Sequence, residues 1–181
     1  MKILAFAATN SKQSINRQLL QYASSLLSAD VDIELLDLND FEMPLYGIDR
    51  EQADGIPAAA QLFMQKIAAA DAVLISFAEH NGAYSVAYKN IYDWASRIDM
   101  RVYQDKPTVM LSTSPGGGGG ASVLAAAVAS SQFNGARLQA SLSIPSFFES
   151  FDVEAGHLKD QALIDALAEA LKKLEGAQLT A

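Results

Sequence analysis

"KPTVMLSTSPGGGGGASVLAAAVASSQF", residues 106–133, decides whether the chain is one folding unit or two. Its five consecutive glycines, Gly116–Gly120, are nearly half of the eleven in the sequence. Such a run is the usual composition of a flexible linker, because glycine loses the most conformational freedom when it is ordered. The flanks argue otherwise. Residues 106–113 are a short apolar run with strand character, and residues 121–133 carry a helical pattern. The glycines therefore join a strand to a helix inside one β–α unit.

Working outward, the same alternation recurs. Residues 2–8 are a short apolar run stopped by polar Thr9–Gln13, and read as a strand buried on both faces. Residues 14–28 place Ile15, Leu19, Leu20, Ala23, Leu26 and Leu27 on one helical face. Strand character returns at 32–38, 71–78 and 136–144, and helical character at 56–70, 85–98 and 158–174. Residues 39–55, broken by Pro44, Gly47 and Gly55, read as a loop. Pro57 stands near the first turn of the following helix. Strict alternation with apolar strands predicts a parallel sheet between two layers of helices. Five strands, each followed by a helix, fit an α/β, flavodoxin-like three-layer sandwich with strand order 2-1-3-4-5. No repeat or boundary interrupts the pattern, so a single domain is expected over residues 1–181.

Composition narrows the ligands. The chain has 181 residues, 50% hydrophobic, which is ample for one core. A net charge of −8 argues against nucleic acid and anionic membranes as partners. An anionic ligand must then be held locally, by backbone amides and helix N-termini. The absence of cysteine excludes disulfides and thiolate metal sites, and is compatible with a cytoplasmic location. His80 and His157 are the only histidines, so no metal site is expected. No run reaches transmembrane length, and the apolar stretch around Ala5–Phe6–Ala7 is too short for a signal peptide.

Right-handed crossovers bring the C-terminal ends of all strands to one edge, where open α/β sheets bind ligands. Three loops meet there. The first, Thr9–Ser14, is rich in hydroxyls and enters a helix that Ser14 is placed to cap. That arrangement suits a phosphate, although no G-x-G-x-x-G or P-loop pattern is present. The second, Glu79–Tyr84, is more polar than a turn requires, yet Asn81–Gly82 alone is explained as a tight turn. The third is Ser114–Gly120.

Together these residues resemble the NAD(P)H-dependent FMN reductase family, which includes quinone, azo-dye and chromate reductases. The resemblance covers roughly residues 1–145. Ala8–Asn16 lines up with a first loop of the form G-S-x-R-x-x-S-x-N. Ala78-Glu79-His80-Asn81-Gly82 stands where the family has P-E-Y-N-G, and Lys89-Asn90-Ile91-Tyr92-Asp93-Trp94 matches its K-N-x-x-D-W. The glycine-rich loop after strand four is also a family feature. Ser11 replaces the family's arginine, with Lys12 beside it, His80 its tyrosine and Ala78 its proline.

The resemblance implies FMN as cofactor and NADPH or NADH as co-substrate, with hydride passing to a small flat acceptor such as a quinone. It places Thr9, Ser11, Ser14, Ile15 and Asn16 around the phosphate. Ala78, Glu79, His80, Asn81 and Gly82 hold the ring edge, mainly through backbone groups. Ser114, Gly116, Gly117 and Gly118 lie against the ring, and surplus glycine lets that loop move as ligands exchange. No side chain is required as acid or base, because the cofactor carries the chemistry. The resemblance also implies a homodimer or homotetramer. Lys89 and Asp93 read as a surface pair. Tyr88, Tyr92 and Trp94 read as core or subunit interface. Phe147, Phe148 and Phe151 form an aromatic cluster after strand five. One rival reading is a flavodoxin-like electron carrier. A second is a serine hydrolase using Ser122, Asp152 and His157, which follow the hydrolase chain order. A third is a family member without flavin binding, prompted by Ser11 and His80.

Overall fold

A computed structural model of the chain describes residues 1–177; the last four residues of the domain expected over 1–181 lie outside them. Five strands form one parallel sheet: β1 (Lys2–Ala8), β2 (Asp32–Leu36), β3 (Ala72–Phe77), β6 (Pro107–Thr113) and β7 (Arg137–Ile144). Between them lie two short antiparallel strands, β4 (Glu79–His80) and β5 (Ala83–Tyr84). Sheet order is β2-β1-β3-β6-β7, the expected 2-1-3-4-5 once that hairpin is set aside. Every pairing within it is parallel.

Alternation within the central strands sorts their side chains onto two faces. Leu4, Phe6 and Ala8 of β1 join Val73, Ile75 and Phe77 of β3 beneath α3 (Ala58–Ala68), α4 (Val86–Ile98) and α5 (Ala121–Asn134). Ile3 and Ala5 join Ala72, Leu74, Val109 and Leu111 on the other face, beneath α1 (Ile15–Ser25) and α7 (Gln161–Glu175). Because both faces are covered, β1, β3 and β6 are buried almost throughout, which is why they read as continuous apolar runs.

The structure differs from the sequence reading between Leu38 and Gly55. A 3₁₀ turn, Leu38–Phe41, and the helix α2 (Ile48–Asp54) stand where a loop is expected. The helix buries no residue, so it has no apolar stripe to betray it. It is held instead by Arg97 Nε donating to Glu51 at 2.9 Å and by the Tyr46 hydroxyl to the same carboxylate at 3.1 Å. After β7 come α6 (Phe147–Ser150) and a second hairpin, β8 (Phe151–Asp152) with β9 (His157–Leu158). Phe147 and Phe151 stack in the core at 4.7 Å between ring centres, whereas Phe148 is exposed.

One buried side chain ties the sheet edge to the first helix. Asn16, at the second position of α1, donates from Nδ2 to the Thr113 carbonyl at 3.1 Å. Its Oδ1 accepts from the Thr113 N–H at 3.0 Å and from the Ser76 hydroxyl at 2.8 Å. Removing it strands a buried N–H, carbonyl and hydroxyl away from water. Asn16→Ala should cost about 2–4 kcal/mol of unfolding free energy, measured by urea denaturation; a loss under about 0.5 kcal/mol would contradict this account.

Candidate functional site

The chain turns sharply as it leaves β1. Thr9 N–H donates back to the Ala7 carbonyl at 2.8 Å, and the Ser11 N–H donates to Thr9 Oγ1 at 3.2 Å. Ser14 then caps α1, its hydroxyl accepting from the Arg17 N–H at 3.2 Å. With the Gln18 N–H bonded to the Ser14 carbonyl, the first-turn amides of Ile15 and Asn16 are left without intrahelical acceptors. These two N–H groups and the positive end of the helix dipole are chemically suited to an anion. Asn16 has only its backbone to offer such a ligand, since its side chain is spent inside the fold. Ser11 is exposed. Two cations stand nearby: Lys12 in the loop itself, and Arg17, which pairs with Asp37 at 2.6 Å. The Asn39 backbone N–H, then its side chain and Arg17, hold the Asp37 carboxyl below its ordinary range against the opposing effect of burial.

The loop after β3 is the β4–β5 hairpin. Asn81 and Gly82 both have positive φ, 53° and 77°, the two-residue turn that an Asn-Gly pair favours. Ala78 is buried, Glu79 half-buried, and His80, Asn81 and Gly82 exposed. The Glu79 carboxylate turns away from the hairpin tip and accepts from the Val123 N–H of α5 at 2.9 Å. Just beyond, Ser85 caps α4 and donates from its hydroxyl to the Ala8 carbonyl at 2.7 Å.

The glycine run forms a hydrogen-bonded turn. Gly119 N–H donates to Gly116 at 3.1 Å, and Ala121 N–H to Gly118 at 2.9 Å. The Ser146 N–H donates to the Gly116 carbonyl at 3.0 Å. The Gly119 carbonyl accepts from the hydroxyls of Ser112 at 2.8 Å and Ser143 at 3.0 Å. Two glycines serve this packing. At Gly119 (φ +58°) an added Cβ would collide with the Ser143 hydroxyl and lie 2.8 Å from the Ile144 carbonyl oxygen. At Gly120 (φ +76°) it would lie 3.1 Å from Ser112 Cβ. Gly116 and Gly118 are exposed, and a Cβ on either would meet nothing within 4 Å. Ser114 is half-buried, its hydroxyl donating to the Gly116 carbonyl at 3.2 Å.

Beside the first loop and the hairpin opens a cleft of about 360 Å³. Asn10, His80, Val86, Asn90 and the segment Leu38–Leu45 contribute to its lining. Of the site residues expected from sequence, His80 is the one that lines it. The glycine turn follows β6, on the far side of β3 from β2, whereas this cleft lies toward the β2 side. The sequence reading missed what holds the cleft's outer wall. Asn90 Nδ2 donates to the carbonyls of Met43 and Pro44, both at 3.1 Å, and its Oδ1 accepts from the Tyr46 N–H at 2.8 Å. Trp94 Nε1 donates to the Pro44 carbonyl at 2.8 Å. The K-N-x-x-D-W stretch carried this signal, because its Asn and Trp stand one helical turn apart on one face. Its Lys89 and Asp93 form the surface pair expected, at 2.7 Å. Tyr88 is in the core and Tyr92 half-buried. Burial first, and then its contact with Tyr103, raises the Tyr88 phenol well above its ordinary range, so it stays neutral.

The hydrolase grouping does not assemble. Ser122 lies in the first turn of α5, on one face of the sheet. Asp152 and His157 face each other across the β8–β9 hairpin, whose Phe151 and Leu158 pack on the opposite face. The Asp152 carboxylate is committed to the N–H groups of Glu154 and Ala155.

Fold and edge together define a flavodoxin-like α/β protein with an anion-accepting helix N-terminus beside an exposed hairpin and a bare glycine turn. A family model described as NADPH-dependent FMN reductase matches residues 1–149, and the chain belongs to that family. It is 36% identical over 116 residues to an NAD(P)H-dependent FMN reductase of Pseudomonas aeruginosa, covering 64% of this chain and 61% of that protein. It is 34% identical over 119 residues to an NADPH:quinone oxidoreductase of Arabidopsis thaliana, covering 64% and 59%. The chain thus spans about three fifths of the length of these curated relatives. The fold matches that of FerB, a flavoenzyme NAD(P)H:(acceptor) oxidoreductase from Paracoccus denitrificans. The TM-score is 0.78 at 24% identity, over 96% of this chain and 97% of that one. Among the described residues, no helix is long and apolar enough to cross a membrane.

The two halves of the glycine run should separate by substitution. Gly119→Ala should lower stability by about 1–3 kcal/mol, whereas Gly118→Val should change it by less than about 0.5 kcal/mol. Thermal melts of the two variants check this; equal melting temperatures would show that the turn does not depend on Gly119.

Proposed function

We propose that this chain is an FMN-dependent NAD(P)H oxidoreductase that delivers hydride equivalents from NADPH or NADH to a small flat acceptor of the quinone type. The observation that carries the reading is the first turn of α1. It leaves the Ile15 and Asn16 amides free at the β1–β3 switch point, in a chain whose family match covers this whole edge. The donor set fits a phosphate: two helix amides, with the hydroxyls of Thr9, Ser11 and Ser14 close by in sequence. The ring would lie against backbone of Ala78–Gly82 and the exposed face of Ser114 and Gly116–Gly118, where no side chain stands in the way. When bound, FMN supplies the hydride-accepting and hydride-donating chemistry. The chain's own residues bind and orient. Backbone N–H groups at the edge offset charge that develops on the ring, and no side-chain acid or base is assigned.

The cleft supports a flat, largely apolar acceptor. Met43, Leu45, Val86 and Ile91 line it, with Leu45 and Val86 exposed at its rim. Quinone-reducing activity is in the names of two relatives, the plant enzyme and a 2-hydroxy-1,4-benzoquinone reductase of Burkholderia. A single domain, assembly as a homodimer or homotetramer, and a cytoplasmic location belong to the same proposal; for assembly the family resemblance is the support.

The purified chain should show, or acquire on addition of FMN, a flavin absorption spectrum, and should then oxidise NADPH or NADH with a quinone present. A protein that neither binds FMN nor oxidises either nucleotide with FMN added refutes the proposal. Turnover without a partner reductase separates it from an electron carrier. Within it, Gly117→Val should weaken FMN binding by about tenfold or more, equivalent to about 1.4 kcal/mol, at unchanged melting temperature of the flavin-free protein.

A further inference from the structure

The hairpin after β3 is joined to α5 by two side chains: the Tyr84 hydroxyl lies 3.4 Å from Ser130 Oγ partway along the helix, and Glu79 reaches the helix N-terminus. α5 begins at Ala121 on a glycine cap with no side-chain acceptor of its own, in a left-handed conformation that disfavours any other residue. The Glu79 carboxylate, from the hairpin 44 positions earlier, takes that place and accepts from the Val123 N–H at 2.9 Å. A carboxylate at a helix N-terminus satisfies an orphan amide and meets the positive end of the dipole. Here the cap belongs to a different loop from the helix it caps.

We propose that Glu79 is a positioning residue for the flavin slot. Its side chain fixes the hairpin Glu79–Tyr84 against the N-terminus of α5, and so fixes its spacing from the glycine turn that runs into that helix. This rests on the flavin reading above, in which hairpin and glycine turn lie against the ring. The carboxylate does not touch the ligand. It acts through the backbone on either side, and its negative charge offsets the α5 dipole next to the ring. The hydrogen bonds of the glycine turn itself run to β6, β7 and Ser146, and the Tyr84–Ser130 contact lies further along α5, so Glu79 is the hairpin's hydrogen bond to the helix end that adjoins the turn.

Three variants test the proposal. Glu79→Gln keeps an oxygen acceptor at the same reach and removes the charge. Glu79→Asp keeps the charge and falls short by one methylene. Glu79→Ala removes both. FMN affinity, read by quenching of flavin fluorescence, should fall about tenfold in Glu79→Ala and about fivefold in Glu79→Asp, and stay within about threefold in Glu79→Gln. Loss of the charge leaves the dipole uncompensated, so the midpoint potential of bound FMN should move positive in Glu79→Gln. Hydrogen exchange on the flavin-free proteins reads the cap by itself: the Val123 amide should be protected in the wild type and in Glu79→Gln, and faster in the other two. Should Glu79→Ala not fold, the contrast between Glu79→Asp and Glu79→Gln decides. Wild-type FMN affinity in all the folded variants overturns the proposal, as does Val123 exchange indifferent to position 79. A wild-type protein that binds no FMN would instead overturn the flavin reading, with the exchange result unaffected.

Discussion

The Asn16 carboxamide is the constraint on which the ligand edge depends. Its three hydrogen bonds join the start of α1 to β3 through Ser76 and to β6 through Thr113. A buried amide with every partner in place has one workable geometry, and misplacing it is costly. The first turn of α1 is thereby held over the sheet at the point where strand order reverses. Ser14 directs the helix entry, and the two free amides that follow are aimed by the same fixture. An anion site made only of backbone needs this kind of support, since backbone amides cannot adjust as a lysine side chain can.

Two further helices start at this edge, and their caps work across loops. Ser85 caps α4 and also bonds the Ala8 carbonyl at the end of β1. Glu79 caps α5 from the hairpin. The N-termini of α1 and α4 place partial positive charge at one edge of a protein with a net charge of −8, while Glu79 offsets that of α5. That reconciles an acidic surface with an anionic ligand: the field at the edge is set locally by oriented dipoles, while the distant carboxylates are screened by solvent.

Much of this was legible in the sequence. Strand order followed from alternation and from central strands apolar enough to be buried on both faces, as β1, β3 and β6 are. Ser14 as a cap and Asn81–Gly82 as a turn followed from local chemistry, which does not depend on the rest of the chain. What was not legible is long-range. The family motif aligns Asn16 with a phosphate loop, whereas its side chain is claimed by partners 60 and 97 positions away. Glu79 read as surplus polarity because its partner lies on another helix. The α2 helix was hidden because it buries nothing, and periodicity reports only what is buried.

The glycine run shows how composition can mislead even when its location is read correctly. Flexibility is a property of glycine in the unfolded chain; in a fold the same freedom lets the backbone enter conformations other residues resist. Gly119 and Gly120 use it to pack with positive φ against Ser143 and Ser112, where a Cβ collides at the first and is tight at the second. Gly116 and Gly118 use it differently, leaving a surface with no side chains. One half of the run is therefore packed against the protein's own residues, and the other is bare, where we propose that the ring lies. The hydrogen bonds of the first half would serve the proposed ring site, because an undressed backbone offers a flat ring a defined surface only where its conformation is held.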